Sequence, residues 1–439
     1  VLLYILGILV VVVGLAVSIG LHEVGHLLPA KLFGVRVSQY MIGFGPTIFS
    51  RKRGETEYGF KAIPLGGYIA MAGMYPPGKA NDKGRTATTG IFQTLVQDAR
   101  TASADTLVDV DESRAFYNLP VYKRVIIMLG GPLMNLLIGI VMFAILLMGF
   151  GIPQTTTTIS SVSECVIPAT ADRQACESTD PEAPGYAAGM LPGDRLVSMN
   201  GESVNSWAEA TEYIRAAAGD ELTVVVERDG QNLTLVTEPL LTERYVLDDR
   251  GQIVENANGE PQTEEYGFLG IGSAVDTVQQ PVAAVLPAVG DNVAAVGNVI
   301  LHLPQRMIDV AGAAFGPGDR DPNGPIGVVG VGRIAGEIAS LDSAPVADRI
   351  ASLIGLIGSL NVALFVFNLV PLMPLDGGHI LGALFEGVRR FFAKLFGKPD
   401  PGPVDTAKII PLTLVVVVLL GAMTLLLVYA DIVKPISFF

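Results

Sequence analysis

"SIGLHEVGHLLPAKLFG", residues 18–34, decides how the rest of the chain is read. It closes a run, residues 1–21, that contains no charged side chain. Two histidines and a glutamate therefore stand at the end of a segment built for lipid, where ionisable groups are expensive and functional by default. In HExxH on a helix, the histidines at i and i+4 share one face and suit a zinc ion. The glutamate beside them is placed to act as general base. Here these are His22, His26 and Glu23. Taken alone, the five-residue pattern occurs by chance in soluble helices, where a histidine pair is an ordinary surface or core pair. The apolar run before it, and a total of only 4 histidines in the chain, favour the metal reading.

Half of the 439 residues are hydrophobic and the mean hydropathy is +0.48. Four uncharged runs, residues 1–21, 125–152, 350–375 and 409–430, are long enough to cross a bilayer, which takes about 20 apolar residues. A cleavable signal peptide is the alternative for the first run. No basic flank precedes it, no small-residue cleavage site follows it, and it leads into HEVGH, so a retained helix is expected. Residues 151–349 hold 29 of the 43 acids with 10 arginines and no lysine, a net −19. All lysines but Lys434 fall between the first and second runs or between the third and fourth. Short basic loops stay cytoplasmic, which puts residues 31–124 and 388–408 inside, and the acidic block and both termini outside. The overall −14 argues against a nucleic-acid partner. Cys165 and Cys176, the only 2 cysteines, lie in the outward block, where an oxidising compartment permits a disulfide; two free thiols are the alternative.

Zinc needs a third protein ligand at the depth of HEVGH. The third run travels inward, as the first does, and ends "FNLVPLMPLDGGHILGALF". Pro371 and Pro374 break the helix, and Gly377 and Gly378 allow a tight turn that presents Asp376. Asp-Gly alone is merely a turn; coincidence of depth makes Asp376 the candidate ligand, with His379 as a rival better suited to a supporting role. Residues 43–74 alternate short β-rich runs with glycine pairs and read as a hairpin able to dip into the inner face of the bilayer. Residues 75–119 are polar and aperiodic, a partly flexible insertion. The outer block predicts a hairpin turning at Asp229-Gly230 and a turn at Asn200-Gly201. It also predicts a strand ending in an exposed glycine loop within "EEYGFLGIGSA".

HEVGH ending the first span, "GFGPTIFS…YGFKAIPLGGYIAMAGM" after it, "GGPLMN" in the second span and "NLVPLMPLDGG" ending the third resemble the site-2 proteases, intramembrane zinc metalloproteases. The likeness is to the regulator-of-sigma-E protease branch and its actinobacterial Rip-like relatives. It covers nearly all the chain except residues 75–119 and part of the outer block. The resemblance implies that His22, His26 and Asp376 ligate one zinc per chain and that Glu23 is the catalytic base. It implies a membrane-re-entrant β-hairpin, a GxxxN element running from Gly131 to Asn135, and a substrate contact at Asn368. The hairpin's edge, with Ala62, Leu65, Gly66 and Gly67, is suited to hold an unwound substrate by strand addition, and Asn135 to bond its freed backbone. An asparagine in a membrane helix is otherwise helix–helix glue. "GMLPGDRLVSMNGESVNSW" resembles a circularly permuted PDZ domain, with Leu269, Gly270 and Ile271 as its peptide-binding loop.

The expected fold class is an α-helical polytopic membrane protein, with four transmembrane helices and the re-entrant β-hairpin, carrying an extracytoplasmic mixed α/β PDZ-like domain. The divisions are residues 1–34 (first span), 35–74 (hairpin), 75–119 (insertion), 120–152 (second span) and 153–276 (PDZ-like domain with an insertion). Residues 277–349 supply membrane-surface amphipathic helices and a linker, 350–387 the third span, 388–408 a cytoplasmic loop, and 409–439 the fourth span and tail. The function implied is endoproteolysis of single-pass membrane proteins such as anti-sigma factors, in the bilayer of a bacterial inner membrane. Clearance of signal-peptide remnants or processing of peptide signals is the alternative with the same chemistry. A transporter would leave HEVGH unexplained and lacks the expected inverted repeat; an idle PDZ-bearing membrane adaptor differs by zinc content.

Overall fold

The computed structural model describes residues 1–76, 96, 100, 101, 103–107, 111–167, 173, 175–246, 254, 256, 261–322 and 324–436, with the backbone alone at 64 and 65. Most of the expected insertion, residues 75–119, lies outside the described residues. The chain forms two compact units, Val1–Phe150 with Gln280–Phe439, and Gly151–Gln279.

The first unit is helical, with a small sheet packed on its first helix. Helix α1 spans Leu2–Leu32, strands β1 and β2 Val37–Arg53 and Thr56–Met71, and α2 Val121–Ala144. At 1.5 Å per residue His22 lies about 30 Å along α1, the thickness of a hydrocarbon core. Leu2–Leu32, Val121–Phe150, Val282–Leu301, Val346–Asn368 and Thr406–Val433 are, among the described residues, the helices long and apolar enough to cross a membrane. Leu412, Val415, Val418, Leu419 and Leu425 of the last are exposed, a continuous apolar surface that suits lipid rather than water.

In the second unit, β3 (Ile152–Val162), β4 (Arg195–Met199), β5 (Glu202–Ser203), α3 (Trp207–Ala216), β6 (Leu222–Arg228), β7 (Gln231–Thr237), β8 (Leu240–Tyr245), β9 (Thr263–Phe268) and β10 (Ile271–Val278) follow one another. One sheet has the order β10-β3-β4-β6-β7, with β5 on β4, and β8 pairs with β9 alone. Ile159, Met190, Leu196, Met199, Leu222, Val224, Val226 and Leu269 form its core. The expected turns form: Asn200-Gly201 has φ of 48° and 85°, and Asp229-Gly230 has 52° and 77°, the backbone of a type I′ hairpin turn. Cys165 and Cys176 form a disulfide. The glycine loop is not exposed as expected. Leu269 fills the core, and Gly270, with φ of 75°, is buried because its carbonyl accepts from Ser163 N at 2.7 Å and that of Leu269 from Gly185 N at 2.8 Å.

The helices of the first unit continue with α4 (Val285–Leu301), α5 (Leu303–Phe315), α6 (Val328–Ser340), α7 (Val346–Asn368), α8 (Asp376–Leu395) and α9 (Ile410–Val433). Helix α1 packs on α2, α6 and α7; α2 also meets α7 and α8. Within residues 277–349, expected on the membrane surface, α4 packs against α7 and α2, with Asn292 Nδ2 donating to Ser359 Oγ at 3.2 Å. The insertion ends earlier than expected as well. Residues Phe116 and Leu119 are buried with Leu27, Val35, Met71 and Ile127, because Phe116 N donates to Ala72 O at 2.9 Å and draws the chain against α1. Helix α8 runs past residue 388, where a loop was expected, to Leu395.

The hairpin is more than a simple pair of strands. Residues 39–42 run antiparallel to 67–70 on one side and in parallel with 57–60 on the other, and residues 49–53 run antiparallel to 56–60. Residues 67–71 and 49–53 are thus the outer runs. Tyr40 donates its hydroxyl to Gly20 O at 2.8 Å, fastening the sheet to α1 half a turn before His22.

In the second unit the buried Asp194 accepts from Arg228 Nε and Nη2, both at 2.7 Å, and from Leu191 N at 2.9 Å. The Arg228 hydrogen bonds hold its carboxyl below the usual aspartate range. The contribution of this pair is full at neutral pH and is lost as pH falls below the ordinary value near 4 towards the depressed folded one. Asp194→Ala should destabilise this unit by about 3 kcal/mol, read as faster hydrogen exchange in β4 and β6 at pH 7.

Candidate metal centre

Three side chains from segments some 350 residues apart converge at the end of α1. His22 and His26, one turn apart on α1, approach each other with Nε2 atoms 3.2 Å apart. Asp376, the first residue of α8, brings Oδ2 to 3.3 Å from each Nε2. A tetrahedral zinc with bonds of about 2.0–2.1 Å separates neighbouring donors by about 3.3 Å, so two nitrogens and one oxygen stand as one face of such a tetrahedron. Asp376 Oδ2 is buried and takes no hydrogen bond, an arrangement that is costly unless a cation answers it. Among the described residues this is the one cluster of at least three such donors.

Helix α2 shapes the site. Ile127 O lies 2.7 Å from His26 Nδ1. A carbonyl only accepts, so Nδ1 carries the proton and Nε2 keeps its lone pair for a metal. A Cβ on Gly131 would lie 2.2 Å from His26 Nε2 and 2.7 Å from His22 Nε2, inside the space between them. This closeness is possible because α1 and α2 touch backbone to backbone. A Cβ on Gly25 would meet Gly130 O at 2.2 Å, and one on Gly130 would meet Gly25 O at 2.0 Å. Gly25, Gly130 and the carbonyl of Ile127 escaped the sequence reading. The signal was present for the glycines, since small residues in membrane helices mark close crossings.

The remaining candidates divide. Glu23 is on the same helix, and a Cβ on Gly67 would lie 3.0 Å from its Cγ, so the hairpin's outer run reaches the site there. Gly66, with φ of 114°, could not carry a side chain past the Phe44 ring. Ala62 instead sits at a corner of β2, between Lys61 paired with Thr47 and Ile63 paired with Phe44. The side chain of Leu65 lies outside the described residues. Asn135 is buried on α2, one turn beyond Gly131, with Oδ1 unpartnered. Asn368 donates Nδ2 to Leu364 O at 2.9 Å within its own helix. His379 is one turn along α8 from Asp376 and is absent from the donor cluster. Leu269, Gly270 and Ile271 belong to the second unit described above.

A family model, "Peptidase family M50", matches residues 10–398. The chain belongs to peptidase family M50. Mycobacterial relatives of this M50 peptidase align along its whole length. "Zinc metalloprotease Rip1" of Mycobacterium tuberculosis is 33% identical over 445 residues, 100% of both chains. That of Mycolicibacterium smegmatis is 32% identical over 449 residues, 99% of both. A "putative zinc metalloprotease" of Mesorhizobium japonicum is 31% identical over 378 residues, 86% of this chain and 88% of that one. This M50 peptidase is a zinc metalloprotease and a membrane protein, and its cofactor is Zn2+. Gly131→Ala should remove bound zinc with little loss of helicity, because its methyl would occupy the space between the imidazoles; metal analysis with circular dichroism of the purified protein checks it.

Proposed function

We propose that His22, His26 and Asp376 hold the zinc, that Glu23 is the general base, and that the enzyme cuts single-pass membrane proteins within or beside their transmembrane segment. The observation that carries this reading is the meeting of three donor atoms, 3.2–3.3 Å apart, from α1 and the distant start of α8. Zinc, when bound, supplies Lewis-acid polarisation of the scissile carbonyl and a water acidic enough to act as nucleophile at neutral pH. Glu23 takes the proton from the attacking water and returns it to the leaving amine. His26, protonated on Nδ1 by its bond to Ile127 O, keeps its orientation throughout.

A helical substrate has its backbone bonded internally and must unwind before attack. Its freed groups then find partners by strand addition to residues 67–71, whose pairing in the sheet is with β1 on one side. Gly67, which lets that run approach Glu23, favours this outer run over Ala62. Asn368 and Asn135 add side-chain bonds to the extended segment. The second unit acts as a PDZ-like domain outside the cytoplasm, its loop at Leu269, Gly270 and Ile271 screening the substrate's outer stub. The membrane is the bacterial inner membrane, crossed by α1, α2, α7 and α9 with both termini outside, while Val282–Leu301 lies against α2 and α7 without crossing. Anti-sigma factors trimmed on their outer side fit such a filter; signal-peptide remnants are the second class with the right form.

Reconstitution with single-pass substrates tests the chemistry. Glu23→Gln should keep about one zinc per chain and lose turnover, whereas His22→Ala and Asp376→Asn should lose the metal; zinc retained by both ligand variants would refute the assignment. The orientation has its own measurement. Thiols engineered beside Lys52 and Lys398 should label only from the cytoplasm and one beside Glu243 only from outside, and the reverse pattern would overturn it.

A further inference from the structure

Arg124, Ile127 and Gly131 recur at i, i+3 and i+7, one buried face of α2. Two of them serve the imidazoles directly, Ile127 through its carbonyl and Gly131 by leaving room. Arg124 reaches the other way. Its Nη2 donates to Oε1 of Glu386 on α8, and Glu386 is fully buried. The same Oε1 lies 3.1 Å from Arg390 Nη2, and Oε2 accepts from Val404 N at 2.9 Å.

Asp376 receives no hydrogen bond at Oδ2, and the residue before it, Leu375, gives α8 no side-chain cap. Its carboxylate is therefore placed by the helix that carries it. Gly377 seats the start of α8, since a Cβ there would meet Val370 O at 2.3 Å. That seat fixes where the helix begins, not how it is turned about its axis. A carboxylate about 5 Å from the axis moves roughly 1.7 Å when a helix turns by about 20°. A metal–ligand bond tolerates about 0.2 Å. Ile380 packs α8 on the cluster that holds Ile127, but apolar packing specifies rotation loosely; among the described residues the hydrogen-bonded contact from α8 to α2 is that of Glu386.

We propose that Arg124 and Glu386 are a positioning pair for the zinc site. They make α8 follow α2, so that Asp376 arrives in register with imidazoles that α2 itself holds. The inference rests on Asp376 being a zinc ligand. Neither residue belongs to the donor cluster, so in this proposal they act on the metal through the two helices.

The test uses the full chain in detergent, with Arg124→Met/Glu386→Leu as the main variant, because apolar replacement of both members of a buried ion pair is often neutral for folding. Zinc affinity is read by chelator competition, ligand geometry by the visible spectrum of the cobalt-substituted protein, and folding by the melting midpoint of the metal-free chain. The expected result is zinc binding weaker by about 10–100-fold and a cobalt spectrum shifted from the wild-type tetrahedral form, with the metal-free midpoint retained. Wild-type affinity and spectrum would overturn the proposal, and so would a loss of affinity that only parallels a fallen metal-free midpoint. If the double variant does not fold, Glu386→Gln and Arg124→Lys decide by the same readings, and unchanged affinity in both overturns it. His22→Ala separates the two levels. If it retains zinc, the ligand reading fails; if it loses zinc while the pair variants do not, the positioning pair alone fails.

Discussion

Two helix backbones touch where Gly25 of α1 meets Gly130 of α2, and the donor cluster proposed to hold the zinc depends on that contact. In lipid no hydrophobic force drives helices together, so close packing of small residues and hydrogen bonds must do it. With any side chain at either glycine the helices would separate. The Ile127 carbonyl would then withdraw from His26, and the pocket bounded by Gly131 would open. One turn of glycines thus sets how near the second helix comes, the tautomer of a histidine, and the room between two imidazoles.

Polar contacts in the same bundle are few and each joins distant parts of the chain. Asn361, fully buried, donates to Ser18 Oγ at 3.0 Å, one turn before His22. The buried Arg320 reaches Asp431 of α9 at 2.7 Å, and Gly330 N of α6 donates to the same carboxylate at 2.8 Å. Such buried pairs add little net stability, because desolvation offsets much of their attraction. These contacts tie α1 to α7 and α6 to α9, while α1, α2 and α8 meet through His26, Ile127 and the Arg124–Glu386 pair.

The hairpin solves a different constraint. Its irregular backbone pairs within its own four runs, is pinned to α1 by Tyr40, and presents Gly67 to Glu23. Phe44, Ile48, Phe49, Phe60 and Ile63 are exposed around it, as suits a sheet immersed beside membrane helices once its backbone bonds are made internally.

The chemistry of this protein was legible in the sequence because it is local. HEVGH places two histidines on one helical face, and the apolar run before it says where that helix lies. Asp376 was singled out by a depth argument, and its Oδ2 does lie 3.3 Å from both Nε2 atoms. The hairpin and the Asn-Gly and Asp-Gly turns were legible because backbone at positive φ demands those residues. What the sequence could not say was which atoms meet. Asn368 bonding inside its own helix, the buried loop at Leu269 and Gly270, α4 packed on α7, and Phe116 drawn into the core all follow from contacts between segments far apart in the chain. So do the reach of Ile127 O to His26 and of Arg124 to Glu386, 262 residues away. Periodicity fixes the face of a helix but not its neighbour, its height or its rotation; those are set by which backbones can touch, and only the folded chain decides that.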